Sequence, residues 1–430
     1  ILRRLDLRHV TDDLRNHLPR PDVAAGESQV AAVHEILARV RDHGDDAVRD
    51  LTEQFDGARL DSLRVPSVEM EAALASLPPL LREAMEASRA SILKYQRSTL
   101  RPDECHERDG IVVRDLRRPV DRAGLYIPGG LARYPSTVLM TALPARVAGV
   151  AELVLCTPPE KAGSVDGPTL AAAALAGVDE VYRIGGAQAI AAMAYGTETI
   201  RPVDVIVGPG NVYVSIAKRE VAQAGLVGVP SAFAGPSEVV VIADETTPVD
   251  FAAIDVIVQA EHGPDGLAWL VTWSEEAADR ITEAIARLTE QAPRRNEIEA
   301  NFARGGYCVL VDSPERAMEV ANLVAPEHLE LMNADPESLV PLVRSAGAVF
   351  CGPYAPASVG DYMAGPSHVL PTNGSARFSS ALRVQDFSKQ IHLVSLDQPT
   401  LAKIAPHVAA LAEAEGLPAH ALSVRMRESP

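Results

Sequence analysis

The run Gly124-Leu125-Tyr126-Ile127 is the first of four short apolar segments that alternate with longer, Ala-rich segments. Alternation of strand and helix patterns is typical of βαβ units, so this region is predicted to form a parallel sheet. The other three strand-like runs are Leu153-Val154-Leu155-Cys156, Val181-Tyr182-Arg183-Ile184 and Val203-Asp204-Val205-Ile206-Val207. The segments between the runs are predicted crossover helices at 136–150, 169–176, 187–195 and 211–224.

The same alternation resumes after residue 237 and predicts a second parallel sheet. Its candidate strands are 238–243, 267–273, 307–311 and 347–351. Towards the amino terminus, apolar residues recur at helical spacing over 28–55 and over 68–100, with an interruption at Pro78-Pro79.

These patterns predict an α/β protein with two incomplete Rossmann-like parallel-sheet domains, a small N-terminal helical segment and an extended C-terminal tail. The last 48 residues are too few to bury a core of their own, so the tail must lie on another surface. The predicted boundaries are 1–22 for the helical segment, 23–125 with 238–382 for one discontinuous domain, 126–237 for the second domain and 383–430 for the tail.

Charge and composition narrow the class of protein. The 430 residues include 40 Lys and Arg against 58 Asp and Glu, a formal net charge of −18, which disfavours nucleic acids and anionic membranes as partners. We find no run of about 20 uncharged apolar residues and no signal-peptide core at the amino terminus, so we expect a cytoplasmic protein without a membrane span. The four cysteines have neither disulfide-scaffold nor metal-finger spacing, and those within strand patterns are expected to be inert.

Two glycine-containing turns follow predicted strands and open predicted helices: Ile184-Gly185-Gly186-Ala187-Gln188 and Val207-Gly208-Pro209-Gly210-Asn211. Glycine lets the backbone approach a phosphate, and a helix N-terminus favours negative charge. Neither a Walker A motif nor G-x-G-x-x-G is present, and neither strand is followed by the acidic residue of the Rossmann pattern. These turns permit a dinucleotide, but simple tight turns are the alternative.

A candidate metal site ends the helical pattern at 255–264. Gly263-Pro264 stops the helix, so Gln259 and His262 project from one face of its last turn. The partial negative charge of a helix C-terminus suits a bound cation. The alternative is that His262 only caps the helix.

A candidate acid–base pair follows at Glu327 and His328. Pro326 suits the first position of a helix, which would place both residues in its first turn. The dipole there would keep His328 neutral and available as a base, and would keep Glu327 ionised. The alternative is an ordinary acidic first turn with an incidental histidine.

Two later segments complete the candidates. The loop 357–368 follows the strand ending at Cys351, where α/β proteins place functional groups, and offers Asp361 as a hard ligand and His368 for substrate. Turn formation is the alternative for these polar residues. In the tail, a helix ends at Glu415 and the next turn presents His420, which could complete a site formed elsewhere, even in a second subunit.

Taken in order, these segments resemble the histidinol dehydrogenases over essentially the whole chain. The motifs that carry the resemblance are Gly124-Leu125-Tyr126-Ile127-Pro128-Gly129-Gly130, Gly208-Pro209-Gly210-Asn211, Ala234-Gly235-Pro236-Ser237-Glu238, Gln259-Ala260-Glu261-His262, Ala325-Pro326-Glu327-His328-Leu329, Gly360-Asp361-Tyr362 and Glu415-Gly416-Leu417-Pro418-Ala419-His420.

The resemblance implies an intertwined homodimer that exchanges its tails, holds one zinc ion per subunit, and oxidises L-histidinol to L-histidine through L-histidinal with two NAD, in histidine biosynthesis. It implies that the domain of 23–125 and 238–382 carries the metal and catalytic residues, and that 126–237 is the NAD side. The implied zinc ligands are Gln259, His262, Asp361 and the partner's His420, and the implied acid–base residues are Glu327 and His328. The implied substrate contacts are Ser237, His368 and Glu415, together with the zinc ligands and His328. The implied NAD contacts are Tyr126, Gln188 and Asn211.

A metal-dependent hydrolase is the alternative function. It would use His262, His328, Asp361 and His420 with Glu327 as the base, and it would need no nucleotide. Reduction of a nicotinamide separates the two functions.

Overall fold

A computed structural model describes residues 1–19, 26–129, 132–230 and 235–428. Two residues of the motifs quoted above, Gly130 and Ala234, lie outside these ranges. Strands and helices are numbered below in chain order. They form a six-stranded sheet (sheet A), a four-stranded sheet (sheet B) and a three-stranded sheet (sheet C).

Sheet A is parallel throughout, with the strand order β1-β10-β9-β8-β11-β12. Its outermost strand β1 lies in the N-terminal segment, which was predicted to be helical. That prediction was wrong for these residues, because they extend the sheet by pairing with β10. The strands are β1 (Arg3–Asp6), β8 (Glu238–Ala243), β9 (Leu267–Thr272), β10 (Gly306–Leu310), β11 (His328–Leu331) and β12 (Ala348–Cys351). The helices between and after them are α8 (Val249–Ala260), α9 (Glu275–Gln291), α10 (Arg295–Gly305), α11 (Pro314–Val324) and α12 (Ala357–Tyr362).

Sheet B is also parallel, with the order β6-β5-β4-β7. All four of its strands and its four crossover helices lie where the sequence pattern predicted them. The strands are β4 (Arg122–Tyr126), β5 (Glu152–Thr157), β6 (Glu180–Arg183) and β7 (Val205–Val207). The helices are α4 (Pro135–Ala148), α5 (Gly167–Ala176), α6 (Gly186–Tyr195) and α7 (Val212–Gln223).

Three amino-terminal helices pack against sheet B: α1 (Glu27–Asp56), α2 (Ser67–Ala75) and α3 (Pro79–Ser98). Val33 and Leu51 of α1 share a buried core with Ile190 of α6, and Ile92 of α3 shares another with Leu139 of α4. These helices therefore share their buried cores with the helices of sheet B. The division of the chain into domains stays a prediction.

Sheet C is antiparallel and ties the tail to the body of the chain, with the order β13-β3-β2. Strands β2 and β3 were not predicted from the sequence, because their charged residues hide the strand pattern. The hairpin turn between them, Asp109-Gly110, has positive φ at both residues, which is a recognisable hairpin signal. The elements are β2 (Glu104–Arg108), β3 (Ile111–Pro119), β13 (Ser388–Ser395), α13 (Gln398–Ala414) and α14 (Pro418–Arg425).

Both parallel sheets reverse their strand order once. In sheet B, β7 returns to lie beside β4, and in sheet A, β11 returns to lie beside β8. Helix α4 begins at the carboxyl edge of sheet B, and its Thr137 hydrogen-bonds His368 in the segment that follows α12. The carboxyl edge of sheet B therefore lies against the amino edge of sheet A. Among the described helices, none has the length and apolarity that crossing a bilayer requires.

Replacing Gly208 with alanine is expected to destabilise the fold at the reversal in sheet B. Gly208 has φ +116°, and a Cβ placed there would lie 2.0 Å from the Tyr126 carbonyl oxygen. Backbone strain and this clash together are expected to cost roughly 2–4 kcal/mol, measured by denaturant unfolding. Gly167→Ala is the control, because its Cβ meets nothing within 4 Å. Equal stability of both variants would contradict this account.

Candidate active site

The pairing of β11 with β8 builds the centre of the site. His328 lies opposite Val239 in the register, so the start of β11 meets the backbone of Glu238. The Glu238 N–H donates to Glu327 Oε2 at 2.9 Å, and His328 Nδ1 lies 3.0 Å from the Glu238 carbonyl oxygen. Because a carbonyl only accepts, Nδ1 carries the proton, and Nε2 is the nitrogen left to act as a base.

The predicted helix at Glu327 and His328 is wrong. Helix α11 ends before them, with Ala325 in the left-handed region at φ +51° as its C-cap. His328–Leu331 then form the strand β11, because Leu329 and Leu331 are buried in the core on one face of sheet A. The site residues therefore gain their positions from strand pairing and not from a helix N-terminus.

The charge state of His328 also differs from the prediction that this side chain is neutral. Its Nδ1 lies 3.5 Å from Glu327 Oε2, and its Nε2 lies 3.5 Å from Asp361 Oδ1. Burial opposes the charged imidazole, but these two carboxylates outweigh it and raise the pKa of His328 to about 9. Burial also raises the pKa of Glu327 to about 7, although His328 opposes that rise. In the protein without a bound cation, His328 is therefore protonated at neutral pH.

Asp361 and His368 are joined to this centre through α12 and the loop after it. Burial opposes ionisation of Asp361, but the His328 imidazole 3.5 Å away and the charges of the other nearby histidines hold its pKa below the usual value. His368 Nδ1 lies 3.0 Å from the Asp361 carbonyl oxygen, and its Nε2 lies 2.9 Å from Thr137 Oγ1. Burial lowers the pKa of His368, so this ring is neutral and both of its nitrogens are hydrogen-bonded within the chain.

The end of α8 points to the same place. The helix ends at Ala260, two residues earlier than predicted, so His262 lies in the turn that follows it. The Gln259 side chain is buried at 2 % exposure and its Nε2 has no hydrogen-bond partner. His262 is exposed, but partial desolvation still lowers its pKa, against the opposing effect of the Asp361 carboxylate. His262 is thus close enough to Asp361 to feel its charge, and Gln259 lies three residues before His262 at the end of α8.

The tail residues do not join this cluster within one chain. Glu415 ends α13 and His420 lies in α14, and both are exposed. In the described ranges, no hydrogen bond or ion pair connects them to Gln259, His262 or Asp361. Ser237 lies half-buried directly before β8, at the edge of the cleft.

The three predicted NAD contacts lie at the carboxyl edge of sheet B. Tyr126 ends β4, and its hydroxyl accepts a hydrogen bond from the Gly186 N–H at 3.1 Å. Gln188 is buried in the first turn of α6, with no hydrogen-bond partner at either side-chain amide atom. Asn211 caps α7 through a 3.1 Å bond from the Val214 N–H. The crevice beside β4 and β7 is where open α/β sheets bind ligands.

A second group of possible metal ligands lies elsewhere, on sheet C. The ligand atoms of Glu104, His106 and Asp115 lie within 4.8 Å of one another, the one such group of His, Cys, Asp or Glu in the ranges that the structure describes. Arg117 and His392 already pair with its carboxylates. This group contains none of the predicted ligands.

Glu238 was not predicted from the sequence as a site residue, and its carboxyl group is buried beside the Glu327–His328 pair. Its Oε1 accepts a hydrogen bond from the Asn373 N–H at 2.8 Å, and burial raises its pKa to about 8. An acidic residue at the head of the apolar run 238–243 was the available signal. Cys156 and Cys308, two of the cysteines within strand patterns, are buried, and burial raises the pKa of each thiol.

Comparison with known proteins gives a consistent result. A family model described as histidinol dehydrogenase matches residues 20–428. A histidinol dehydrogenase from Parasynechococcus marenigrum is 46% identical over 99% of this chain and 97% of its own length. One from Geobacillus kaustophilus is 46% identical over 93% of this chain and 94% of its own length. The crystal structure of histidinol dehydrogenase from Elizabethkingia anophelis superposes with a TM-score of 0.94 at 35% identity, covering 99% of this chain and 98% of that one.

Proposed function

Because the chain belongs to the histidinol dehydrogenase family, we propose that it oxidises L-histidinol to L-histidine through L-histidinal and reduces two NAD in each turnover. The family is one of oxidoreductases that act on a small molecule with a nicotinamide cofactor, which decides against the hydrolase alternative. The observation that carries the finer proposal is the buried Glu327–His328 pair, which opens onto the cleft of Asp361 and His262. A biosynthetic enzyme that uses NAD works where the NAD pool is, and the location we propose is the cytoplasm.

The cleft fits one zinc ion per subunit. The unpartnered, buried amide of Gln259, the imidazole of His262 and the anionic carboxylate of Asp361 are an N/O donor set suited to a borderline divalent ion. These three residues would hold it, with His420 of the partner subunit as the fourth ligand. When bound, the ion would anchor and orient the substrate through its nitrogen atoms.

Proton transfer is assigned to the pair at the head of β11. His328 Nε2 takes the hydroxyl proton of the alcohol while hydride leaves for the nicotinamide. In the second half-reaction, Glu327 activates the water that adds to the aldehyde, and His328 again accepts the hydroxyl proton as the hydrate is oxidised. A cation at Asp361 would offset the carboxylate charge that raises the pKa of His328, which favours the neutral base.

NAD and the substrate are proposed to bind at the two facing sheet edges. Tyr126, Gln188 and Asn211 are the proposed NAD contacts at sheet B, where the unpartnered Gln188 amide is free to bond a ligand. Ser237, His368 and Glu415 are the proposed substrate contacts, together with His328 and the zinc ligands. Glu415 and His420 would act at the site of the partner subunit.

An exchanged tail is proposed because the tail exposes apolar surface in the single chain. Leu411, Leu422 and Met426 are 68%, 54% and 70% exposed, and the core that α13 and α14 share consists of small residues. A tail of this kind is stabilised by docking on a second copy. Docking there would also carry His420 and Glu415 to the partner's cleft and complete the homodimer's two sites.

The stoichiometry of NADH tests the overall reaction. Two NADH per L-histidinol are expected, with activity lost after chelation and restored by zinc. The measurement is absorbance of NADH at limiting substrate. One NADH would mean that oxidation stops at the aldehyde, and none from folded, zinc-loaded protein would refute the dehydrogenase.

The two half-reactions should respond differently to two variants. His328→Ala is expected to slow oxidation of both L-histidinol and L-histidinal by about 10²–10⁴-fold, because both steps need the base. Glu327→Gln can still accept from the Glu238 N–H, and is expected to slow chiefly the aldehyde step. Steady-state rates with each substrate measure this, with Glu53→Gln, an exposed change in α1, as the control. An unimpaired aldehyde step in Glu327→Gln would remove Glu327 from its role.

Mixed dimers test the exchanged tail. His420→Ala is expected to weaken zinc binding, whereas His407→Ala, an exposed change in α13, should not. A dimer of one His420→Ala chain and one His328→Ala chain should keep one intact site and about half of the wild-type activity if tails cross over. Activity near zero in the mixed dimer, with normal folding, would place His420 in its own chain's site.

A further inference from the structure

Two buried carboxyl groups that the reaction above does not use lie behind the site. Asp255 of α8 is 7% exposed and Glu330 of β11 is 1% exposed, and the two carboxyl groups lie close enough to share a hydrogen bond. A carboxylate has no proton to donate, so this bond requires that the two groups keep one proton between them. Burial and the mutual repulsion of two like charges both favour that state, and they raise the pKa of Glu330 well above its usual value.

The position of the pair connects three elements of the site. Glu330 follows His328 by two residues on β11, so both side chains project from the same face of sheet A. Glu330 Oε1 also accepts a hydrogen bond from the Ala357 N–H at 3.0 Å, at the start of the helix that carries Asp361. Asp255 lies one turn before Gln259, on the same face of α8.

Glu330 Oε2 is buried and receives no hydrogen bond from any N–H or hydroxyl group of the described residues. If both carboxyl groups were ionised, this buried oxygen would face Asp255 as a second unpaired anion, at a large cost in free energy. With one shared proton, Oε1 accepts from the Ala357 N–H, Oε2 shares the proton with Asp255, and the pair retains a single negative charge.

We propose that Asp255 and Glu330 form a proton-sharing pair that positions Gln259, His328 and Asp361 relative to one another, and so sets the affinity of the cleft for its metal ion. This inference rests on the proposed function. Neither residue touches the reacting atoms, so both are positioning residues. Their role is to fix the spacing of α8, β11 and α12, which approach the site from separate parts of the chain.

Zinc affinity of chelator-treated protein tests the pair without any turnover, by competition with a zinc indicator. Glu330→Leu removes both hydrogen bonds and is expected to weaken zinc binding by about 10–100-fold, with a matching fall in kcat after loading at saturating zinc. Glu330→Gln keeps an oxygen for the Ala357 N–H and an amide donor for Asp255, so it is expected to stay within about threefold of wild type. Thr289→Val is the control, because it removes a buried polar group from α9 in the same core region.

Asp255→Ala is a second test in case Glu330→Leu does not fold, because it leaves the bond to Ala357 in place. It should weaken zinc binding by about tenfold. Wild-type zinc affinity in Asp255→Ala or in folded Glu330→Leu would overturn the inference while leaving the dehydrogenase intact. An equal loss in Glu330→Gln and Glu330→Leu would also overturn it. A wild-type protein that binds no zinc and reduces no NAD would instead overturn both the inference and the proposed function.

Discussion

Strand β11 enters sheet A beside β8, and this pairing determines the environment of Glu327 and His328. The backbone N–H and carbonyl of Glu238 hold one side chain each, at 2.9 and 3.0 Å. A backbone carbonyl fixes which nitrogen of His328 carries the proton, and a backbone N–H holds the Glu327 carboxylate beside it. The tautomer and the orientation of the pair therefore depend on a strand register and not on flexible side-chain contacts.

Burial then shifts the pKa values of the carboxyl groups that surround His328. Four acidic side chains, Glu238, Glu327, Glu330 and Asp361, lie around one imidazole, and desolvation favours the protonated form of each carboxyl group. Only Asp361 keeps a pKa below its usual value, because three histidines, His328, His368 and His262, all favour its charged form. The result is a cleft with concentrated negative charge at one point, which is a favourable place for a divalent cation.

The two sheets contribute in different ways because opposite edges face the cleft. Sheet B offers the carboxyl ends of β4 and β7, with the helix N-termini and glycine turns at which we propose that NAD binds. Sheet A offers the amino ends of β8 and β11 and the C-terminal turn of α8. Helix α12 follows β12 and brings Asp361 to within 3.5 Å of His328 at the start of β11.

Local pattern predicted most of the fold. The apolar runs of sheets A and B, the crossover helices and the helices before residue 100 lie at the predicted positions, because period and turn chemistry depend only on near neighbours. The same reasoning failed at Arg3–Asp6, at the charged strands β2 and β3 and at His328–Leu331, where pairing with a distant strand overrides local preference.

The sequence by itself determined which residue types were available for chemistry, namely the polar side chains at Gln259, His262, Glu327, His328 and Asp361. The tertiary structure decided which of them meet, that Glu238 and the Asp255–Glu330 pair lie behind them, and that His328 is protonated without a cation. The physical reason is the sequence distance over which each effect acts. Helical and strand periodicity depends on residues a few positions apart, whereas the bond between Glu238 and His328 joins groups 90 residues apart. A pKa depends on every charge and buried surface around the group.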